Sequence, residues 1–219
     1  MKKIISFSLW GNNPKYTVGA VKNAILAKEV YPDWQTRFFV HQDVDKYVVK
    51  DLDSNNAEVF VFNTPPDWGA SLFRLLPISD DDASHVIFRD CDSRLSQREK
   101  AAVDEWIASN KSFHIMRDHP YHGGFPILAG MFGSKTKTVK DILEKIAVHI
   151  DGKNYHTDQA FIQGEIWPLA EKDSVIHDEI FSQLPFPLKR VGLEYVGEPL
   201  DENDKPCNPI HREALKGYI

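Results

Sequence analysis

Cysteine is almost absent: Cys91 and Cys207 are the only two in 219 residues. Two cysteines make no disulfide framework, and a reducing compartment suits such a chain better. No apolar run approaches the roughly 18 residues of a membrane-spanning helix. Met1 to Phe7 is basic and then apolar, like the start of a secretion signal. However, Gly11-Asn12-Asn13-Pro14 ends that run early, and no small-residue cleavage pattern follows. The expected location is therefore cytoplasmic. Positive charge is not in excess: the formal net charge of −6 argues against nonspecific nucleic-acid binding or a polybasic membrane anchor. A small anionic ligand is still allowed, since it needs only a local positive or metal-filled site. A nucleotidyltransferase is an open alternative, although the glycine-rich phosphate loop such an enzyme carries after its first strand is missing. No internal repeat or strong linker divides the chain.

The composition is that of an ordinary globular protein, 42% hydrophobic and 26% charged. The length suits one domain, residues 1–219, able to bury a sizeable core. Apolar strands are expected at 3–10, 36–40 and 57–62, then along His85 to Phe88, at 112–116 and at 127–132. Helices are expected at 16–30 with Val18, Val21 and Ile25 on one face, around 44–50, and through 70–76 after a Pro65-Pro66 breaker. Ser96-Gln97-Arg98-Glu99 is a capping-box pattern opening a helix with Val103, Trp106 and Ile107 on its apolar stripe. An amphipathic helix is predicted at 137–150, and another at 157–167 closed by Pro168. Residues 185–219 form a loop-rich tail, either a flap over a site or a surface wrap; five of the 13 prolines fall between Pro185 and Pro209. Strands alternating with helices predict an α/β sandwich with a mainly parallel central sheet, whose ligands bind at the carboxyl ends of strands.

Chemistry concentrates where His85-Val86-Ile87-Phe88-Arg89 runs into Asp90-Cys91-Asp92-Ser93-Arg94. In extended chain, residues i and i+2 project to one side, so Asp90 and Asp92 would face one site about 7 Å apart. Two such carboxylates suit Mg²⁺ or Mn²⁺, which complete their shell with phosphate oxygens and water. The alternative is a solvated turn after a strand. Arg74, in an apolar helical stretch, either snorkels to solvent or turns to a phosphate or the Asp pair. Arg117-Asp118-His119-Pro120-Tyr121-His122-Gly123-Gly124 reads as a polar loop contacting substrate hydroxyls; as a zinc site it lacks ligands. At His156-Thr157-Asp158-Gln159 a helix opens, with Thr157 as cap and Asp158 complementing the dipole, or with a carboxylate and an amide facing the crevice. His177 is either a hydrogen-bonded histidine or an imidazole ligand completing the Asp90/Asp92 site. Lys189-Arg190 is either a solvated patch or a clamp on a diphosphate.

The order of these pieces resembles the GT-A-fold glycosyltransferases, and glycosyltransferase family 8 in particular. The similarity lies in Leu72-Phe73-Arg74-Leu75-Leu76-Pro77, then the strand ending in Asp90-Cys91-Asp92, then Thr157-Asp158-Gln159-Ala160-Phe161 opening a helix. The Arg-Asp-x-Asp-Ser-Arg stretch and His114-Ile115-Met116-Arg117-Asp118-His119-Pro120 also look like small bacterial proteins of polysaccharide-synthesis loci. The resemblance implies metal-dependent transfer of a sugar from a nucleotide-diphosphate donor, a UDP-sugar foremost, to a saccharide acceptor in surface polysaccharide synthesis. It also implies a division of roles. Ser8, Leu9, Trp10 and Gly11 would hold base and ribose. Arg74, Asp90 and Cys91 would lie by the donor, with Asp118 and His119 on sugar hydroxyls. Asp90, Asp92 and His177 would hold Mn²⁺ or Mg²⁺. Asp158 would act as the catalytic carboxylate with Gln159 beside it. Ser93-Arg94 departs from the apolar residues usual in family 8, and the short chain leaves little acceptor region. Two rivals stand beside this: a non-catalytic nucleotide-sugar-binding module, and a phosphohydrolase of the haloacid dehalogenase type. The latter carries its Asp pair on the first strand, whereas here it lies at residue 90.

Overall fold

The computed structural model describes residues 1–63, 67–151, 154–181 and 184–218; the Pro65-Pro66 breaker lies outside them. Seven strands form one sheet: β1 (Lys2–Leu9), β2 (Gln35–His41), β3 (Glu58–Phe62), β4 (Ala83–Phe88), β5 (Phe113–Arg117), β6 (Phe132–Lys135) and β7 (Ser174–Asp178). Their order is β3-β2-β1-β4-β6-β5-β7. All neighbours pair parallel except β6, which runs antiparallel to both β4 and β5. The expected α/β sandwich with a mainly parallel sheet is what the chain forms.

Each face of the sheet has its own core. Ile5, Phe7 and Leu9 of β1 pack with α1 (Pro14–Val30), α2 (Lys46–Ser54) and α3 (Gln97–Ala108). Ile4 turns to the opposite face, where a 3₁₀ helix (Trp68–Ser79), α4 (Ile142–His149) and α5 (Thr157–Phe161) bury Leu72, Leu75, Ile146 and Phe161. Because side chains alternate along a strand, Ser6 and Ser8 leave the first face. Ser6 Oγ donates to the Arg74 carbonyl at 2.7 Å, and the Arg74 N–H donates to Ser8 Oγ at 2.9 Å. Two serines of β1 thus pin the backbone of one arginine from both sides.

Four elements depart from expectation. Val18 and Ile25 of α1 face solvent, whereas Gly19, Ala20, Asn23, Ala24 and Ala27 are buried. The stripe facing the sheet is one of small residues, and the reason is proximity. A Cβ on Gly19 would lie 2.1 Å from the Cys91 carbonyl oxygen, a backbone atom that cannot yield. Only glycine lets α1 press against the turn carrying the two aspartates. The helix expected from 137 begins at Ile142, because Lys137 and Asp141 take left-handed backbone angles (φ 61° and 54°) that interrupt it. The helix from Thr157 does not stop at Pro168. It loosens into a π turn (Ile162–Ile166), in which the Trp167 N–H reaches back to the Ile162 carbonyl, and runs on through Pro168 as α6 (Trp167–Ala170). The strand expected at 127–132 also falls later, as β6.

The capping box forms by half. Glu99 N–H donates to Ser96 Oγ at 3.3 Å, but the Glu99 carboxylate turns inward to Tyr31 Oη (3.0 Å) and Arg89 Nε (3.3 Å). Arg89, 2% exposed, donates from Nη1 to the Phe88 carbonyl at 2.8 Å. Burial raises the Glu99 carboxyl above its usual range. This buried network anchors the end of β4 at the point where the Asp pair begins.

Candidate active site

A cavity of about 390 Å³ opens where β1 and β4 end. Both aspartates of the pair line it from the turn after β4, as do Arg74 from the 3₁₀ helix and Asp158 and Gln159 from α5. One Arg74 guanidinium holds two of these carboxylates: Nη1 donates to Asp90 and Nη2 to Asp158. Burial of Arg74 opposes its charge, but the Asp90 and Asp158 carboxylates outweigh this and hold its proton more firmly than usual. Asp158 Oδ1 also accepts the Gln159 N–H at 2.8 Å. Gln159 is tied at both ends of its amide, donating to the Ile127 carbonyl at 2.7 Å and accepting the Ala129 N–H at 3.2 Å. It holds the 127–129 loop, which forms the cavity wall beside Gly130.

Gly130 matters for a further reason. A Cβ there would lie 1.9 Å from Asp90 Oδ2, so the missing side chain makes the cradle in which that carboxylate sits. Asp92 Oδ2 is 2.7 Å from Lys15 Nζ. Burial, and then the charge of Asp90, raise the Asp92 carboxyl above its usual range despite the lysine. Two carboxylates lining one cavity, one in a cradle shaped for it, fit a hard divalent cation that arrives with phosphate oxygens to complete its shell. Among the described residues no group of three His, Cys, Asp or Glu side chains is arranged to hold a metal ion.

His177 does not join the pair. It lies on β7, three strands from β4 in the sheet order and so roughly 14 Å across at the usual interstrand spacing. Its Nδ1 is 2.9 Å from His114 Nε2 and its Nε2 is 3.2 Å from Glu105, so both ring nitrogens already have partners. Asp118 and His119 are likewise behind the wall. Asp118 is fully buried and binds Arg98 (2.8 Å), Arg190 (2.7 Å) and the Val196 N–H (2.9 Å). His119 accepts the Tyr121 N–H on Nδ1 and meets the His211 carbonyl through Nε2 at 2.8 Å. Both residues fasten the C-terminal tail to the body. Arg190, a candidate diphosphate clamp, is part of this anchor. The tail is a wall of the site: Gly197 and Pro199 line the cavity, and the Leu200 N–H donates to the Asp92 carbonyl at 2.7 Å. The tail also forms a short helix, α7 (Pro209–Leu215).

Ser8, Leu9, Trp10 and the buried Cys91 line the cavity, whereas Gly11 stands outside it, its N–H donating to Asp43 at 3.0 Å. Tyr16, Trp68, Tyr155 and His122 are among the lining residues that no motif of the sequence marked as site residues. Trp68 meets Trp10 and Tyr155 edge-on, with ring centroids 5.9 and 4.7 Å apart, making an aromatic wall. His122 was legible only as the second histidine of Asp-His-x-x-His. Its Nδ1 accepts the Asp118 N–H at 3.1 Å, which leaves the proton of the neutral ring on Nε2. Burial, then the neighbouring His119, His211, Arg190 and Arg117, push its pKa down to about 3. The ring therefore offers a neutral donor. The His122 ring-proton resonance should not titrate between pH 8 and 5 in NMR. An unfolded chain takes up that proton near pH 6.5, so this group withdraws stability as pH falls from there toward 3. A midpoint near 6.5 in the folded protein would remove the assigned hydrogen bond.

No family model matches the chain, and no curated protein matches it in sequence. Solved structures do. Mannosyl-3-phosphoglycerate synthase from Rubrobacter xylanophilus superposes with a TM-score of 0.52 at 14% identity, over 81% of this chain and 65% of that one. Glucosyl-3-phosphoglycerate synthase from Mycobacterium tuberculosis, in complex with Mn²⁺ and UDP-glucose, gives 0.51 at 12% identity over 87% and 72%. The fold is that of GT-A-like nucleotide-diphospho-sugar transferases. 4-Diphosphocytidyl-2C-methyl-D-erythritol synthase from Anaerococcus prevotii shares it, at 0.51 and 10% identity over 86% and 92%. This chain spans 65% of the length of the mannosyl enzyme. Among the described residues no helix is long and apolar enough to cross a membrane.

Proposed function

We propose that this chain transfers a sugar from a nucleoside-diphosphate donor, a UDP-sugar foremost, to a saccharide acceptor. The supporting observation is the convergence of Asp90, Asp92, Arg74 and Asp158 on one cavity at the carboxyl ends of β1 and β4. Asp90 and Asp92 would hold Mn²⁺ or Mg²⁺, which when bound offsets the negative charge growing on the nucleoside-diphosphate leaving group. The remaining work falls to the chain's own side chains. Asp158 faces the sugar carbon, where a carboxylate stabilises positive charge in an oxocarbenium-like state. Arg74 holds Asp158 and Asp90 in fixed relation, so the donor's two ends are set by one guanidinium. Gln159 positions the loop under the sugar, and His122 Nε2–H donates to a hydroxyl in the role first expected of Asp118 and His119. The aromatic wall of Trp10, Trp68 and Tyr155 offers ring faces to a nucleobase. An acceptor in bacterial surface polysaccharide agrees with the sequence resemblance.

A panel of UDP-, GDP- and CDP-sugars, each with and without Mn²⁺, tests this by thermal shift. One nucleotide sugar should raise the melting temperature only with the ion, and Asp92→Asn should erase the ion-dependent part while melting normally unliganded. Ion-independent shifts, or unchanged affinity in Asp92→Asn, would end the metal assignment. Because Asp158 is already engaged by Arg74 and by the Gln159 N–H, a binding module without catalysis is the second reading. Release of UDP from a UDP-sugar, even as slow hydrolysis, rules that reading out.

A further inference from the structure

Three carboxylates, Asp90, Asp92 and Asp158, line the cavity, and two cations answer them. Arg74 serves Asp90 and Asp158, while Lys15, in the first turn of α1, serves Asp92. The lysine pair is shielded, its side chains 26% and 14% exposed, and Tyr16 beside it lines the cavity. A diphosphate entering beside Asp92 meets a like charge unless the counter-cation there changes hands. Arg74 is fixed by two carboxylates and by the serines of β1. Lys15, with one carboxylate partner and a flexible four-carbon stem, is free to exchange, and an ammonium is a good phosphate binder. A divalent ion on Asp90 and Asp92 supplies two charges where the ammonium supplied one, and so releases it.

We propose that Lys15 is a diphosphate-binding residue parked on Asp92, where it competes with the divalent ion for the carboxylate and turns to the donor's phosphates once displaced. This rests on the reading of the site as a nucleoside-diphosphate one. Its consequence is positive coupling: the ion alone binds weakly against the lysine, and ion with diphosphate binds well because the lysine has somewhere to go.

The test uses the full chain and two titrations. Mn²⁺ alone is followed by electron paramagnetic resonance of the free ion, and UDP is then titrated at saturating Mn²⁺. Lys15→Met should tighten Mn²⁺ alone about tenfold and weaken UDP at saturating Mn²⁺ about tenfold, a change of opposite sign in the two arms. Lys15→Arg keeps the charge and should hold Mn²⁺ alone close to the wild-type affinity. Adding Asp92→Asn to Lys15→Met should cancel the gain in Mn²⁺ affinity. Lys15→Gln repeats the measurement if the methionine variant melts early. Unchanged or weakened Mn²⁺ affinity in the neutral variants, or the same direction in both arms, overturns the role of Lys15. Failure of the wild-type chain to bind UDP with Mn²⁺ strikes the proposed function instead, and the ion-only arm still judges Lys15.

Discussion

Asp158→Asn is expected to retain donor binding and to lose turnover by about 10²–10³-fold, the range for removing one preorganised electrostatic partner of a transition state. Asparagine keeps the size of the side chain and an oxygen for the Gln159 N–H, which lies 2.8 Å from Asp158 Oδ1. What it removes is the negative charge, which the proposed mechanism needs only when the sugar carbon becomes cationic. Affinity by calorimetry should therefore move little while the rate of UDP release collapses. Near-normal turnover would return Asp158 to a local role at the start of α5, where a carboxylate already complements the helix dipole. A parallel loss of affinity and rate would place it in ground-state binding.

Arg74→Met is expected to destabilise the fold by about 3 kcal/mol, the lower end for leaving a buried ionic partner uncompensated. The lower end applies because the side chains differ in exposure: Arg74 is 6% exposed and Asp158 16%, but Asp90 is 49% exposed and keeps access to water. Methionine fills much of the volume, so the loss measures charge more than a cavity. Urea denaturation should show a lower midpoint with an unchanged slope. Adding Asp158→Asn to Arg74→Met should restore part of the loss, since one of the stranded carboxylates is then neutral. A single variant with the wild-type midpoint would mean that water already compensates both aspartates, and that Arg74 serves ligands alone.

Serines 6 and 8 hold the Arg74 backbone, Arg74 holds Asp90 and Asp158, and the glycines at 19 and 130 let the Asp turn sit where those contacts can form. Lysine 15 is the member of this set whose partner can be exchanged.

Legibility in the sequence followed the range of the interactions concerned. Strand and helix periodicity is local, and it located the alternating α/β pattern and the parallel sheet. The turn after β4 was legible too, since an apolar strand running into Asp90-Cys91-Asp92 is a pattern of adjacent residues. The start of α5 at Thr157 was equally visible. Apolar residues were a poor guide to the buried face of α1, because what selects that face is close approach. Gly19 meets the Cys91 carbonyl oxygen, Ala20, Ala24 and Ala27 continue the buried face, and Val18 and Ile25 point to solvent.

What sequence alone determined, then, is the fold class and the position of two aspartates at a strand's end. Which distant side chains meet them was decided by the tertiary structure. Strand order sends His177 across the sheet to His114 and Glu105, and tail packing withdraws Asp118 and His119 into a buried anchor. In their place the cavity receives His122, three aromatic rings and the tail itself. The physical reason is that local patterning reports how a segment lies relative to its own core, whereas a site is assembled across 84 residues between Arg74 and Asp158 by sheet order and close packing.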